Sequence, residues 1–318
     1  MLIDILLLVS GLALLIKSAD WLVSGASALA KKFNVSDLAI GLTVVAFGTS
    51  APELVVNVIA SSQNLNDIVY GNIIGSNIAN LFLILGITGL IYPLMVQSST
   101  IWREIPLSLL AVVMLFLLSN NFFFGGIREL SGADGGILII MFGLFMLYVY
   151  KQLKTDPSTH EIPAKRMKAW KTWLLIATGL AGLVIGGRLV VNNAEKIAMV
   201  LGVSEKIIGF TILAVGTSLP ELATSVVAAF KKNTNIAVGN IIGSNIFNIF
   251  LIIAISSLVR PVQFNPVFNM DMYLLAGGTA FLFIAMFTGG KKKLDRWEAL
   301  ILLMVYLGYT AMLVMKEI

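Results

Sequence analysis

Two glutamates lie in the middle of long apolar stretches, where a charged side chain is costly. Glu53 ends the segment GTSAPE and Glu221 ends the segment GTSLPE, and neither stretch has another charge in its interior. At the centre of a membrane such a charge costs at least ~2.5–3.5 kcal/mol. Each glutamate therefore needs a compensating partner, and a bound cation is the partner that two carboxylates favour. The alternative is that each glutamate only caps the start of its own helix. Ser50 and Ser218 lie three residues before the glutamates, which is the spacing of a capping box.

The same two segments should interrupt their helices. Glycine loosens a helix, and Pro52 or Pro220 removes a backbone N–H and clashes with the preceding turn. The expected result is a pair of half-helices with freed carbonyls between them. Irregular backbone at membrane depth is tolerated only where it faces protein or a polar cavity. Four hydroxyl-bearing residues would lie at these breaks: Thr49, Ser50, Thr217 and Ser218.

A second motif, GNIIGSNIxN, also occurs twice, at 71–80 and 239–248. It places a serine and an asparagine four residues apart, and therefore on one helix face, at Ser76, Asn80, Ser244 and Asn248. We expect these four side chains to face the cation. Asn72 and Asn77 better fit hydrogen bonding between helices.

All the candidate ligands are oxygen atoms, from carboxylates, hydroxyls, amides and loose carbonyls. Such a shell suits hard cations such as Ca²⁺ and Na⁺, whereas zinc or copper would prefer histidine or cysteine. The sequence has no cysteine and one histidine, His160, which lies in a polar linker. Disulfides, iron–sulfur clusters and thiol catalysis are therefore excluded, and the membrane offers no serine–histidine pair. We expect a protein that is not an enzyme and that needs no cofactor.

The composition is that of a membrane protein. Of 318 residues, 58% are hydrophobic and 12% are charged, and the mean hydropathy is +0.93. A soluble domain of this size needs more charge. Apolar runs of about 20 residues can each cross the hydrocarbon core as a helix. The pattern predicts an all-α membrane protein with ten transmembrane helices, near 2–24, 37–62, 67–92, 103–119, 133–151, 170–191, 205–230, 235–259, 271–289 and 295–315.

The positions of the basic residues indicate how the chain is oriented in the membrane. If the N-terminus is outside, 15 of the 22 lysines and arginines fall in inside loops, including the linker 151–171 and the run Lys291–Lys293. The positive-inside rule then places both termini on the extracellular or periplasmic side of the cell (inner) membrane. This pattern accounts for the net charge of +5. We therefore expect the lipid bilayer as the surrounding partner, no nucleic acid and no obligate protein partner.

The chain is an internal duplication. At an offset of 168 residues, 26 of the 50 positions in 41–90 are identical in 209–258. Each copy holds five predicted spans, and because five is odd the second copy enters the membrane in the opposite orientation. The sequence thus predicts two inverted five-helix repeats, 1–152 and 170–318, joined by a cytoplasmic linker at 153–169. Inverted repeats support alternating access, with the substrate near the midplane where the halves meet.

These motifs resemble those of the cation/Ca²⁺ exchanger superfamily, in particular its prokaryotic Na⁺/Ca²⁺ exchangers. The paired GTSxPE and GSNI segments are similar to that family's two α-repeats, and the resemblance covers essentially the whole chain. It implies ten helices, with the ion sites between the second, third, seventh and eighth. Matched by position, the resemblance implies carboxylate ligands at Glu53 and Glu221, hydroxyl and carbonyl ligands at Thr49, Ser50, Ser76, Thr217, Ser218 and Ser244, further carbonyls at Ala46 and Ala214, and a central pair at Asn80 and Asn248.

The resemblance implies a secondary active antiporter that exchanges Na⁺ for Ca²⁺ by alternating access. The exchange is electrogenic if more than two Na⁺ replace each Ca²⁺. Two alternatives remain open. A Ca²⁺/H⁺ antiporter would titrate Glu53 and Glu221 instead of binding Na⁺ there. A K⁺-dependent Na⁺/Ca²⁺ exchanger is the other, although such members carry aspartate at the position of Asn248, so asparagine there argues against K⁺ co-transport.

Overall fold

Helices dominate the structure. The computed structural model describes residues 1–122, 127–155, 167–201, 214–289 and 292–317. In chain order the elements are α1 (Leu2–Phe33), α2 (Asp37–Thr49), α3 (Ala51–Ser62), α4 (Asn66–Ile91), β1 (Leu94–Met95), α5 (Thr100–Ser119), β2 (Glu129–Leu130), α6 (Gly132–Thr155), α7 (Ala169–Val200), α8 (Leu219–Phe230), α9 (Thr234–Val259), β3 (Val262–Gln263), α10 (Asn269–Ala285), β4 (Lys293–Leu294) and α11 (Arg296–Glu317).

Eight of the described helices are long and apolar enough to cross a membrane, and α2 with α3 makes a ninth span if the bent pair is counted as one. These nine correspond to nine of the ten predicted spans. The seventh predicted span, 205–230, begins outside the described ranges, and its described part is a turn at Ala214–Gly216 followed by α8. The chain is therefore an all-helical protein that crosses the membrane several times.

Several helices are longer than the sequence predicts. α1 continues to Phe33 instead of ending near 24, and α7 continues to Val200 instead of 191. α6 continues to Thr155, so the predicted linker 153–169 begins inside a helix. Hydropathy locates only the part of a helix that lies in hydrocarbon. A helix of 32 residues such as α1 is about 48 Å long and extends well beyond a core of roughly 30 Å.

The predicted break in the second span is present at Ser50, where α2 and α3 meet and bend by 46°. Pro52 lies in the first turn of α3, where its missing N–H would have no partner in any case. α8 begins in the same way, with Pro220 in its first turn. Glu53 and Glu221 therefore each fall in the first turn of a half-helix.

α4 and α9 form the centre of the molecule. Of their most apolar stretches, 78% and 83% are buried, against 17% to 33% for α1, α6, α7, α10 and α11. The outer helices direct apolar surface outward, as helices in contact with lipid do, while α4 and α9 carry many of the buried polar side chains. The packing at the centre is close: a Cβ on Gly239 of α9 would lie 2.8 Å from the carbonyl oxygen of Leu38 on α2.

α1 and α7 pack against each other with their backbones nearly touching. A Cβ added to Gly179 would lie 2.9 Å from the backbone nitrogen of Leu22. One added to Gly186 would lie 3.0 Å from the carbonyl oxygen of Gly11. Small residues at such crossings let two membrane helices come together through dispersion contacts.

Two features of the structure were not predicted. Helical turns of the wider π type occur at Gly41–Val45, Ala79–Ile84, Thr100–Glu104 and Asn248–Ile253. Two antiparallel ladders of two residues each join β1 to β4 and β2 to β3. Strands this short leave no periodic signal in a sequence, and a π turn differs from an α turn by one residue, which hydropathy cannot detect.

Candidate ion-binding site

The two glutamates are buried beside each other at the centre of the fold. Glu53 and Glu221 are each 1% exposed. The positive end of the half-helix dipole stabilises a carboxylate in the first turn. The two side chains are nevertheless near enough for their charges to repel each other. Two like charges in one buried site are costly unless a positive charge is shared between them.

Hydroxyl groups bind one side of each glutamate. Ser50 donates to Oε1 of Glu221 at 3.0 Å, and Ser244 donates to the same atom at 3.4 Å. The hydroxyl of Ser76 is the side-chain partner of Glu53. The second oxygen of each glutamate, Oε2, is buried without a hydrogen-bond partner. Because a bare carboxylate oxygen in the interior is expensive, these two atoms are the candidate ligands for a cation.

The threonines bind asparagines of the second motif. Thr49 donates to Oδ1 of Asn240 at 3.0 Å, and Thr217 donates to Oδ1 of Asn72 at 3.3 Å. At the offset of 168 residues Thr49 corresponds to Thr217 and Asn72 to Asn240. The second bond therefore repeats the first with the two halves exchanged. Each threonine hydroxyl directs its proton to an amide, which leaves its oxygen lone pairs available as ligands. Thr217 also lies 3.4 Å from the hydroxyl of Ser76, so hydroxyls from both halves meet here.

The central asparagines follow the same exchange between halves. Asn80 donates to Oδ1 of Asn245 at 3.0 Å, and Asn248 donates to Oδ1 of Asn77 at 2.9 Å. The amide oxygens of Asn80 and Asn248 are buried and have no hydrogen-bond partner. An amide whose nitrogen is held in place while its oxygen is free presents that oxygen as a ligand.

The asparagines predicted to bond helix to helix do so. Asn72 donates to Oδ1 of Asn57 at 2.6 Å, and Asn77 donates to the carbonyl of Asn245 at 3.2 Å. The sequence contained two signals for further supporting residues. The second copy of the motif repeats the asparagines of the first, and the residue one turn after each glutamate lies on the same helix face as that glutamate. Sequence reasoning did not single out these supports, which are Asn57, Ser225, Asn240 and Asn245.

The capping-box alternative is not what the structure shows. Neither Ser50 nor Ser218 makes a side-chain hydrogen bond that caps its helix. Ser50 donates to Glu221 in the other half instead. The hydroxyl oxygen of Ser218 is buried without a partner. Neither serine therefore closes a helix end, and the hydroxyl of Ser218 stays available as a candidate ligand.

The carbonyl predicted at Ala46 is not freed by the helix break. It accepts a hydrogen bond from the backbone nitrogen of Ser50 at 3.0 Å; the hydroxyl oxygen of Thr49, whose proton goes to Asn240, lies 3.3 Å away. α2 continues one turn further than the break was expected to allow, so this carbonyl keeps its partner. Pro52 instead deprives the carbonyl of Gly48 of its helical donor. Ala214 opens the described turn of the second half, and residues 202–213 and His160 lie outside the described ranges.

Within the described ranges, no three or more His, Cys, Asp or Glu side chains come together in a way that could hold a metal ion. The site therefore combines two carboxylates with neutral hydroxyl and amide oxygens. This composition suits a hard cation that is bound and released, because neutral ligands add contacts without adding charge.

The chain matches the family described as sodium/calcium exchanger protein over residues 3–151 and 171–315. It is 38% identical to the putative antiporter CaxA of Alkalimonas amylolytica, over 98% of this chain and 99% of CaxA. It is 32% identical to the sodium/calcium exchanger MaX1 of Methanosarcina acetivorans, over 98% of both chains. A structure of the sodium-calcium exchanger NCX_Mj, soaked with 2.5 mM Na⁺ and 0.1 mM Ca²⁺, matches with a TM-score of 0.81 at 33% identity and covers 98% of each chain. The chain belongs to the sodium/calcium exchanger family, as a prokaryotic member of the cation/Ca²⁺ exchanger superfamily.

Proposed function

We propose that this protein exchanges Na⁺ for Ca²⁺ across the cell membrane by alternating access. The observation that carries the proposal is the pair of bare, buried oxygens on Glu53 and Glu221, one from each half of the chain. Two carboxylates neutralise one Ca²⁺, and the same oxygens can hold Na⁺ in its place. Two ions that compete for one set of ligands cannot both stay bound, which is the simplest basis for exchange.

The proposed ligands are the polar side chains of the repeated motifs, of which Ser50, Ser76 and Ser244 contact the two glutamates. Every donor atom is oxygen, which favours Ca²⁺ and Na⁺ over softer metals. The carbonyls of Ala46 and Ala214 complete the set suggested by position, and the Ala46 oxygen has a second lone pair beside the one that accepts from Ser50. The side-chain ligands are Glu53, Glu221, Thr49, Ser50, Ser76, Asn80, Thr217, Ser218, Ser244 and Asn248.

The two halves, 1–152 and 170–318, are proposed to be inverted repeats of five spans each, joined by the linker 153–169. Three kinds of contact support this. The threonine–asparagine bonds, the asparagine–asparagine bonds and the two strand ladders all occur as pairs with the halves exchanged. A pseudo-two-fold axis in the membrane plane would relate the members of each pair and pass near the ion site.

The relatives support the choice of ions. MaX1 is named as a sodium/calcium exchanger, and the sodium-calcium exchanger NCX_Mj has structures from crystals soaked with Na⁺ together with Ca²⁺ or Sr²⁺. Two other coupling ions compete with Na⁺. Protons could be carried by the glutamates themselves, and K⁺ could be carried together with Na⁺.

Vesicle transport separates these coupling ions. Purified protein in liposomes is loaded with Na⁺, K⁺ or choline at equal ionic strength, with and without an outward proton gradient, and uptake of radioactive Ca²⁺ is measured. We expect an outward Na⁺ gradient alone to drive uptake, and added internal K⁺ to leave the rate unchanged. Uptake driven by the proton gradient in the complete absence of Na⁺ would establish Ca²⁺/H⁺ exchange instead.

A further inference from the structure

A third buried glutamate lies outside the candidate ion site. Glu104, one turn into α5, is 0% exposed, and its Oε2 has no hydrogen-bond partner. Tyr148 of α6 donates to the other carboxylate oxygen. Among the ion pairs of the described residues, none includes Glu104. The exposed Arg103 lies over the ring of Tyr148, 5.6 Å from its centre. Glu104 is thus a buried acid without a bonded positive partner.

The backbone at Glu104 has the same irregularity as the helices of the ion site. Of the four π turns in the part of the chain that the structure describes, three lie in α2, α4 and α9, which build that site. The fourth spans Thr100–Glu104. π turns recur at functional sites because the extra residue pushes backbone and side-chain groups out of the regular helical ladder.

Other bare polar groups lie one turn from Glu104 on α5 and one turn from Tyr148 on α6. The hydroxyl of Thr100 and both amide atoms of Gln152 are buried without a hydrogen-bond partner. Thr100 lies one turn before Glu104, and its hydroxyl interacts with that carboxyl group without reaching ordinary hydrogen-bond geometry. Gln152 lies one turn after Tyr148. Successive spans run in opposite directions, so one turn earlier on α5 and one turn later on α6 lie at the same depth.

We propose that Glu104, Thr100, Tyr148 and Gln152 form a second cation site, separate from the site of Glu53 and Glu221, and that this site takes Na⁺. Its donor atoms are carboxylate, hydroxyl and amide oxygens, which suit a hard cation. One carboxylate balances one positive charge. A divalent ion would leave an excess charge beside Arg103, which favours a monovalent ion. Thr100 begins α5 and Gln152 lies near the end of α6, so the proposed site lies at one end of these two helices.

The chain offers a matched control in Glu298, which is also 0% exposed and lies in the first turn of its helix. Both of its carboxylate oxygens are satisfied. Thr288 donates to one, and the backbone nitrogen of Asp295 donates to the other at 2.8 Å. Glu298 therefore shares the burial of Glu104 but lacks a bare oxygen, and it should not bind an ion.

The test uses the full chain with the transport carboxylates removed, as Glu53→Gln with Glu221→Gln. Na⁺ binding is measured by titration calorimetry and by the rise in Tm when NaCl replaces choline chloride at constant ionic strength. We expect this variant to bind one Na⁺. Adding Glu104→Gln should weaken binding at least tenfold and remove the rise in Tm, whereas adding Glu298→Gln should preserve both signals.

Two further variants keep the test valid if Glu104→Gln does not fold. Thr100→Val and Gln152→Leu leave the carboxylate in place and remove neutral ligands, and each should weaken Na⁺ binding measurably while the helix content stays unchanged. Absence of Na⁺-specific binding in the starting variant, or equal binding after Glu104→Gln, overturns the proposal. Water or a proton would then satisfy the bare oxygen of Glu104 instead of Na⁺. Ca²⁺ transport by the unmodified protein is a separate measurement, so this proposal can fail while the exchanger function stands.

Discussion

Glu53 and Glu221 are buried, and neighbouring hydroxyls bind one carboxylate oxygen of each. The other oxygen of each has no hydrogen-bond partner. This arrangement is unfavourable without an ion, since two carboxylates repel each other in a site that excludes water. It becomes favourable when a cation supplies the missing partner. This balance is what we expect of an ion-binding pair, and it supports the proposed role of the two side chains.

Replacing either carboxylate by an amide should separate these two effects. We expect Glu53→Gln and Glu221→Gln each to abolish Ca²⁺ exchange, because one remaining charge cannot neutralise Ca²⁺. Each variant should keep a Tm at least equal to that of the unmodified protein without Ca²⁺, because the repulsion is gone. Ca²⁺ uptake into vesicles and thermal unfolding in detergent measure both. Glu298→Gln is the control and should still exchange, and a transport-competent Glu53→Gln protein would refute the assignment.

The central asparagines give a second prediction. Aspartate cannot donate the bond that Asn80 gives to Asn245, or that Asn248 gives to Asn77. Asn80→Asp or Asn248→Asp would also add a third acid to the site. We expect each variant to change the preference between Na⁺ and Ca²⁺ or the pH dependence of exchange, measured as Ca²⁺ uptake across a pH series. If both variants keep unchanged selectivity and pH dependence, these asparagines only join helices.

The sequence identifies the ion-site residues more readily than Glu104. A glutamate in the middle of an apolar stretch, repeated 168 residues later, has no ordinary explanation. Glu104 follows Arg103 at the edge of a predicted span, where a charged residue usually marks a loop. Its burial depends on α5 starting at Thr100 and on Tyr148 arriving from α6. Neither contact can be read from local sequence.

The elements position the site through breaks and close approaches. The proline of each GTSxPE segment begins a half-helix, which was predictable because proline cannot continue a preceding helix. The π turns and two-residue ladders were not predictable, since they depend on how neighbouring helices meet. The small residues along α1 and α7 are visible in the sequence, but only the structure shows which of them touch the other helix.

This contact between α1 and α7 predicts opposite effects for two glycines of one helix. Gly179→Ala would place a Cβ 2.9 Å from the backbone nitrogen of Leu22, so the helices must move apart at a cost of about 1–3 kcal/mol. At Gly187 the described surroundings leave room for a Cβ, and alanine should be neutral or stabilising by up to about 1 kcal/mol. Thermal unfolding of both variants in the same detergent compares them. Equal stability in the two would mean that this packing is looser than described.

The whole molecule is arranged so that both halves contribute to one site. Hydrogen bonds that exchange halves around Glu53 and Glu221 require the two copies of the motif to face each other. The duplication was evident from sequence identity alone. That the second copy is inverted stays a prediction, because it depends on an odd number of spans in each copy.

Orientation can be tested with cysteine labels, because the chain has no cysteine of its own. The positive-inside pattern predicts both termini outside and the linker inside. His160→Cys should therefore resist a membrane-impermeant reagent in right-side-out vesicles and react after the vesicles are opened. Gln63→Cys, in the exposed turn after α3, is the matched control and should react from outside without opening. The reverse pattern of labelling would invert the proposed orientation.

Charge movement is the property that belongs to the complete transport cycle. Two carboxylates can hold one Ca²⁺, and the neutral hydroxyl and amide oxygens allow the same site to hold more than two Na⁺. If three Na⁺ leave for each Ca²⁺ that enters, one positive charge leaves per cycle, and the membrane field acts on it at about 2.3 kcal/mol per 100 mV. Ca²⁺ uptake against internal Na⁺ should then accelerate when the vesicle interior is made positive and slow when it is made negative.

Valinomycin with set K⁺ gradients imposes these voltages, and a parallel measurement with choline-loaded vesicles corrects for leak. A rate that ignores voltage when the charge-carrying step limits turnover would show that the exchange is electroneutral.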